Sequence, residues 1–424
     1  MMENSTPDYF RKTTLPNGVR IVSEHIPSVR SISAGVWVAV GSRDEEDGEA
    51  GICHFIEHMV FKGTRKRRMH HIAQRLENVG GYLNAFTAKE YTCYYARALD
   101  EHLGRAIDTV CDLILSPEFP VREIDREKDV VIEEMKMYLD TPDDHVFDIL
   151  EEALFAGHPM GRPVIGTESS VRSFDREKLI DFSNRHYTPN RIVVALAGNV
   201  DHDRAVRLIE KEFAVSDRKP GTRTPRPITP FKPSSVTRER PIQQAHLVLG
   251  TRGYDVHDPR RVALSVYNTI LGGGMSSRLN QNIRERYGYC YSIYSFVNMH
   301  SDTGDLGVYM GTDASKVDRA EKLIRRELDK LRQKPVGPKV IDRARSQVKG
   351  SIMLGLESMG SRMMRIGRQE LYYGRYYSLD EILEMVDAIE PEDVLDVARD
   401  VARDDRFSVV RLLPSSKTNT NQQT

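Results

Sequence analysis

Residues 51–64, GICHFIEHMVFKGT, place two histidines and a glutamate close together in a segment that predicts a helix. The helix is indicated by apolar residues at spacings of three and four, namely Ile52, Phe55, Ile56, Met59 and Val60. On such a helix His54 and His58 project from one face one turn apart, with Glu57 beside them. Two imidazoles in this arrangement can coordinate a single metal ion. Packing alone gives no reason to place three polar, metal-binding groups among these apolar neighbours.

The order His-x-x-Glu-His is a zinc-peptidase signature, and a catalytic zinc site needs a third protein ligand besides a water. Residues 124–140, IDREKDVVIEEMKMYLD, predict a second helix that carries several carboxylates. Glu127 and Glu134 are two helical turns apart on nearly the same face, so one can bind metal while the other steadies a histidine. Periodicity does not decide whether Glu133 or Glu134 points to the metal.

These motifs resemble the pitrilysin/insulinase family of zinc peptidases, and specifically its mitochondrial-processing-peptidase-like branch. The resemblance runs along almost the whole chain, through LPNG at 15–18, GSR at 41–43, residues 51–64, GGYLNAFT at 80–87, HPMGRP at 158–163, HYTP at 186–189 and GGGMSSRL at 272–279. It implies that His54, His58 and Glu134 bind one Zn²⁺ per chain and that Glu127 is the supporting carboxylate. Glu133 is then interpreted as an exposed helix charge.

Composition is that of a protein without a general affinity for polyanions. The chain has 424 residues, 29% of them charged, and a formal net charge of −1, which argues against nucleic acid and anionic membranes as partners. The basic run RKRRMHH at residues 65–71 is interpreted as a solvated loop. Residues 1–14 lack the apolar core of a secretory signal, and Glu3 and Asp8 are atypical of a mitochondrial presequence. We therefore expect a cytoplasmic protein with no membrane span.

The four cysteines form no C-x-x-C pair and are too sparse for a disulfide framework. Cys53 is adjacent to His54, but on a helix it faces away from the His54/His58 side. We interpret it as a buried small residue and not as a metal ligand.

The fold prediction is α+β with two homologous domains, each a mostly antiparallel sheet packed with helices. The predicted segments are a domain at residues 1–215, a proline- and basic-rich linker at 216–241, a second domain at 242–414 and a disordered tail at 415–424. In both halves a helical pattern is followed by a short apolar strand, at 191–197 and at 407–413. The resemblance implies that the two domains form a clamshell.

The second half keeps the alternation of elements and loses the metal chemistry. Aligning Ile124-Asp125-Arg126 with Ile341-Asp342-Arg343 places Gly274, Met275, Ala344 and Ser351 opposite Glu57, His58, Glu127 and Glu134. A duplicate that keeps its shape without metal ligands is suited to hold substrate.

One segment of the second half stands out, IRERYGYCYS at residues 283–292. Position alone does not choose among the tyrosines there, Tyr287, Tyr289, Tyr291 and Tyr294. The resemblance assigns Arg284 and Tyr291 to the bound peptide, where a guanidinium and a phenol can hydrogen-bond a carbonyl or an oxyanion. The alternative is a solvated helix charge and an ordinary strand residue.

Two consecutive strands are predicted at residues 82–87 and 91–97, and the resemblance makes the first an edge strand beside the zinc. Asn84, Ala85 and Phe86 would then hold an extended peptide through main-chain hydrogen bonds. In the alternative interpretation, the protein's own loops cover this edge and Asn84 caps a turn.

The function predicted from these features is zinc-dependent endopeptidase activity on extended or unfolded peptides, with Glu57 as general base and Arg284 and Tyr291 assisting. Members of the family that the chain resembles often work as dimers when they have this length, so the resemblance implies a homodimer or a heterodimer with a related chain. The alternatives are a peptidase subunit that needs a partner to cut, and a non-catalytic scaffold subunit of the same fold.

Overall fold

A computed structural model describes residues 9–214, 218–222 and 226–415. Up to residue 214 the strands and longer helices are β1 Phe10–Thr14, β2 Arg20–His25, β3 Ser31–Val38, α1 Ile52–Val60, α2 Met69–Glu77, β4 Tyr82–Thr87, β5 Thr92–Leu99, α3 Leu103–Leu115, α4 Val121–Leu139, α5 Pro142–Leu154, α6 Glu168–Arg172, α7 Arg176–His186, β6 Ile192–Gly198 and α8 His202–Phe213. From residue 226 they are β7 Ser235–Arg240, β8 Ala245–Gly253, α9 Arg261–Gly272, a π-helical turn Asn280–Glu285, β9 Cys290–Met299, β10 Gly304–Thr312, α10 Val317–Gln333, α11 Pro338–Gly355, α12 Met359–Tyr373, α13 Leu379–Asp387, α14 Pro391–Val401 and β11 Ser408–Pro414. The predicted tail beyond residue 415, part of the predicted linker and residues 1–8 lie outside the described residues.

The first sheet has six strands in the order β1-β2-β6-β3-β5-β4. Only the β2–β6 pairing is parallel among its described neighbours, and the other four are antiparallel. The central strands β3 and β6 are almost wholly buried, which matches the continuous apolar sequence of β6 and the small and apolar residues of β3. This sheet and its helices form the core that carries α1 and α4.

The second sheet repeats the order of the first with one strand fewer, β7-β11-β8-β10-β9. Its β7–β11 pairing is parallel and the rest are antiparallel, as in the first sheet. Both sheets therefore place the last strand of the half between a parallel and an antiparallel neighbour. The predicted α+β fold with two homologous, mostly antiparallel domains is confirmed.

The chain forms two compact units, and each takes a segment from the other half of the sequence. Residues 137–161 belong to the second unit and residues 352–381 to the first. Within the second unit α5 packs on β8 and β11, and within the first unit α12 packs on β2, β3 and β6. These units differ from the predicted domains at 1–215 and 242–414, because a helix pattern does not indicate which sheet the helix will cover.

The basic run at residues 65–71 is only partly a loop. Its last three residues begin α2, and the Arg67 guanidinium forms ion pairs with Asp108 and Asp112 at 2.5 Å. The prediction of a solvated loop is therefore wrong for Arg67, which is ion-paired to α3, and for residues 69–71, which are helical. No helix in the described ranges is both long and apolar enough to cross a membrane.

Candidate metal centre

Helix α1 is fixed at its start by a carboxylate from the preceding loop. Gly51 precedes it with φ of +90°, a left-handed conformation that favours glycine. The Glu45 carboxylate accepts hydrogen bonds from the Gly51 N–H at 2.9 Å and the Cys53 N–H at 3.0 Å, so it satisfies two amides at the helix N-terminus. Burial raises the pKa of Glu45 to about 8, although these two amides lower it. Cys53 itself is buried, as predicted.

The apolar side of α1 packs into the core and leaves its polar side half-buried, with His54, Glu57 and His58 on it. Residues Ile52, Phe55, Ile56 and Met59 are fully inaccessible. Burial lowers the pKa of His54 to about 3, which keeps its imidazole in the neutral form that binds metals.

Glu134 of α4 faces both histidines of α1. Its Oε2 lies 3.5 Å from Nε2 of His58 and 3.8 Å from Nε2 of His54. One ligand atom from each of the three residues lies within 4.8 Å of the others. Ligands about 2.1 Å from a tetrahedral zinc ion are about 3.4 Å apart, so this donor set fits zinc with small adjustments.

Glu127 supports His58 from the opposite side of the ring. Its Oε1 lies 2.9 Å from Nδ1 of His58, and its Oε2 lies 2.6 Å from Nζ of Lys62. Burial raises the pKa of Glu127, but hydrogen bonds from His58 and Lys62 lower it more. Burial lowers the pKa of His58, but the carboxylates of Glu127 and Glu134 together raise it by more, so the net shift is upward. Nδ1 of His54 is buried and makes no such bond to any described residue.

Glu57 stands beside the three clustered residues without being one of them. Its carboxylate accepts a hydrogen bond from the Thr87 hydroxyl at 2.6 Å, at the end of β4. Burial raises the pKa of Glu57, and the Thr87 hydroxyl opposes this. Glu133 points away from the cluster: its side chain is 72% exposed and lies 2.6 Å from Nζ of Lys136.

Strand β4 is an edge strand, as the resemblance implied, and among the described strands it pairs with β5 alone. The Ala85 N–H donates to the side-chain oxygen of its neighbour Asn84 at 2.8 Å. Phe86 packs edge-on against Trp37 with ring centroids 6.0 Å apart. The Ala88 N–H donates to the Tyr91 carbonyl, so the alternation of the antiparallel register assigns the bonds to β5 to Phe86 and Asn84 and turns the Ala85 N–H away from β5.

Arg284 and Tyr291 lie in the second unit, in the π-helical turn and in β9. The Arg284 guanidinium carbon lies 5.8 Å from the centre of the Tyr291 ring, and Tyr291 is 84% exposed. Gly288 between them adopts a positive φ of 61°, a left-handed conformation that favours glycine. The structure thus brings the two residues together on the surface of their own unit.

Three contacts of this centre were not predicted: Glu45 to the start of α1, Lys62 to Glu127, and Thr87 to Glu57. Glu45 lies in the loop before α1, outside the helical pattern, and Thr87 is 30 residues from Glu57, so periodicity carries no signal for either contact. Lys62 could have been considered, because it follows His58 by one turn and the chain places a carboxylate-rich helix opposite.

The chain matches known families over most of its length. Residues 20–168 match the family described as Insulinase (Peptidase family M16), and residues 173–348 match the Peptidase M16 inactive domain. The residues that cluster here fall in the first match, and Arg284 and Tyr291 in the second.

Similar proteins include an uncharacterized zinc protease, YmxG, of Bacillus subtilis, 41% identical over 96% of this chain and 98% of that protein. An uncharacterized zinc protease of Streptomyces coelicolor is 43% identical over 92% of this chain and 87% of that protein. Among solved structures, a Pseudomonas fluorescens protein described as a peptidase M16 inactive domain has a TM-score of 0.89 at 21% identity, covering 96% of this chain and 98% of the other. A Helicobacter pylori protease has a TM-score of 0.88 at 22% identity, covering 96% and 99%. The last two show the same fold. The two family matches and the two relatives, 41% and 43% identical, show that this chain belongs to the M16 (insulinase) peptidase family.

Proposed function

We propose that this chain is a zinc-dependent metalloendopeptidase that cleaves extended or unfolded peptides. The observation that carries the proposal is the convergence of His54, His58 and Glu134, whose ligand atoms lie within 4.8 Å of one another beside the half-buried Glu57. A carboxylate that is next to a metal site but outside its ligand set is placed for proton transfer.

The three clustered residues would hold one zinc ion, with Glu127 orienting His58. Zinc, when bound, supplies Lewis acidity that lowers the pKa of water to near 7 and polarises a carbonyl oxygen. Glu57 takes a proton from the attacking water and delivers it to the leaving amine. Burial makes this carboxyl a better proton acceptor than an exposed glutamate, and the Thr87 hydroxyl fixes its direction.

The peptide would bind as an additional strand along β4. An edge strand offers main-chain groups that recognise a backbone with little demand on its sequence. Because the Ala85 N–H bonds to the Asn84 side chain, Asn84 turns away when a peptide carbonyl takes its place. We include Arg284 and Tyr291 in the proposal as donors to a peptide carbonyl or oxyanion, as the family resemblance implies.

The test is metal analysis together with cleavage of a quenched fluorescent peptide by the purified chain. We expect about one zinc per chain and cleavage that a chelator abolishes. Glu57→Gln should keep the zinc and lose turnover by about 10²-fold or more, whereas His58→Ala and Glu134→Gln should lose the zinc as well. Glu133→Gln is the matched control, since it changes the exposed carboxylate next to Glu134 and should alter neither property. Near-normal cleavage by Glu57→Gln at saturating zinc would end the assignment of Glu57.

Full zinc occupancy without cleavage would instead favour a subunit that needs a partner chain. Adding a related chain from the same source should then restore activity. Absence of zinc from a chain that retains all three ligands would support the scaffold alternative.

A further inference from the structure

Arg284 lies in a π-helical turn, Asn280–Glu285. Such turns are rare, and they often mark functional sites because they displace a side chain from its regular helical position. The turn leaves Arg284 about one-third exposed. The direction of the Arg284 side chain therefore depends on what holds the opposite side of the turn, which faces α10.

A buried carboxylate of α10 holds that side. Glu327 is 4% exposed, and its Oε2 accepts hydrogen bonds from Nε and Nη2 of Arg278 at 3.1 and 2.8 Å. The same oxygen accepts a third bond from Nδ2 of Asn282 at 3.0 Å. Its Oε1 accepts from Nζ of Lys330 at 2.6 Å. One carboxylate thus binds a residue just before the turn and a residue inside it.

Asn282 and Arg284 are two positions apart and point to different sides of the helix. Fixing Asn282 on the side that faces α10 therefore fixes the direction in which Arg284 leaves the turn. Asn280 adds a second anchor, because its Nδ2 donates to the Ile293 carbonyl of β9 at 3.1 Å. Strand β9 also carries Tyr291, so the two exposed donors share one support.

We propose that Glu327 is a positioning residue for Arg284: it holds the π-helical turn so that the guanidinium meets the bound peptide. This inference rests on the proposed function. Glu327 does not stand at a position that aligns with a metal ligand of the first half. With Arg278 and Lys330 it forms a charged network around a buried carboxylate.

The kinetic test is a double-mutant cycle on the full-length zinc-loaded chain. We expect Glu327→Gln and Arg284→Ala each to lower kcat/KM by about tenfold with zinc content unchanged. The double variant should be no slower than Arg284→Ala, because Glu327 acts through that residue. Losses that multiply in the double variant would overturn the proposal, and so would an unchanged kcat/KM for Glu327→Gln.

Glu321→Gln is the matched control for a general loss of stability. Glu321 lies on the same helix and is ion-paired to Arg325 at 2.9 Å and to Arg411, but it has no hydrogen bond to the turn in the described structure. We expect its kcat/KM to stay within about twofold of wild type. An equal loss in both variants would show a structural effect of α10 and would contradict a role through Arg284.

Hydrogen exchange separates failure of this inference from failure of the proposed function. Glu327→Gln should speed exchange of the amides at residues 280–288 and leave those of α1 unchanged. If the wild-type chain binds zinc and cuts no peptide, the proposed function fails, but faster exchange in Glu327→Gln would still show that Glu327 holds the turn. Unchanged protection of the turn in Glu327→Gln would overturn that role of Glu327, whatever the activity.

Discussion

Lys62 contributes to the metal centre without touching any of the three clustered residues. Its ammonium lies 2.6 Å from Glu127, which in turn lies 2.9 Å from His58. Without this cation, a buried carboxylate would rely on the imidazole alone for charge compensation. The histidine would then be held less firmly in the orientation that zinc needs.

We therefore predict that Lys62→Met weakens zinc binding by about tenfold or more, measured by competition with a chromogenic chelator. Lys136→Met is the control, since Lys136 pairs with the exposed Glu133 on α4. Equal zinc affinity of Lys62→Met and wild type would show that Glu127 orients His58 unaided.

Glu45 makes the stability of the protein depend on pH. Its pKa in the folded chain is about 8, above the ordinary value of about 4.3. The unfolded chain therefore releases this proton at lower pH than the folded chain does. The contribution to stability is fully present below about pH 4 and is lost as the pH rises towards 8.

We predict that Glu45→Gln reduces the fall in unfolding free energy between pH 5 and 8 by roughly 1–3 kcal/mol. Urea denaturation at several pH values measures this directly. Glu46→Gln is the matched control, because the adjacent Glu46 is exposed and the slope should not change. A slope unaffected by Glu45→Gln would mean that Glu45 is ionised throughout this range.

At the scale of elements, β4 offers a test of peptide addition to the sheet. The register turns the Ala85 N–H away from β5 and towards the Asn84 side chain, so a proline at this position removes no bond to β5. It does remove the donor that an added strand needs. We predict that Ala85→Pro lowers peptide affinity by about tenfold, measured by fluorescence anisotropy in a Glu57→Gln background.

Ala85→Ser keeps the N–H and a small side chain, and it should bind peptide like the parent. Zinc content and melting temperature should be the same in all three proteins. Unchanged affinity of Ala85→Pro would exclude this stretch of β4 as the template for the peptide.

Elements with a strong period were predictable, and their tertiary partners were not. Apolar residues that recur on one face predict helices α1 and α4, and the structure has both. The choice of Glu134 over Glu133 came from the resemblance, and the structure places Glu134 with His54 and His58. The edge position of β4 came from the resemblance, since alternation alone does not order strands in a sheet. Helix α12 was not predicted at all, and its place on the first sheet depends on shape complementarity that no local pattern reports.

At the scale of the whole molecule, each half of the sequence completes the other unit with a helix. The first sheet buries Trp37 and Val193 under Met363 and Ile366 of α12. In the second unit, Val248 and Val410 pack in one cluster with residues of α5. The unit that contains His54, His58 and Glu134 therefore completes its core with residues from the second half of the chain.

Gly367 of α12 tests this dependence. A Cβ there would meet Nε1 and Cε2 of the fully buried Trp37 at 2.4 and 2.5 Å, and a rigid indole inside a packed sheet cannot move aside cheaply. We predict that Gly367→Ala destabilises the protein by roughly 1–3 kcal/mol in urea denaturation. Gly350→Ala in α11 is the control: a Cβ there meets nothing within 4 Å, and alanine should stabilise the helix by roughly 0.5–1 kcal/mol. Because Gly367 is far in sequence from the three clustered residues, a loss of zinc that follows the loss of stability would show that α12 supports the metal-binding unit. Equal stability of Gly367→Ala and Gly350→Ala would mean that the sheet accommodates α12 at a greater distance.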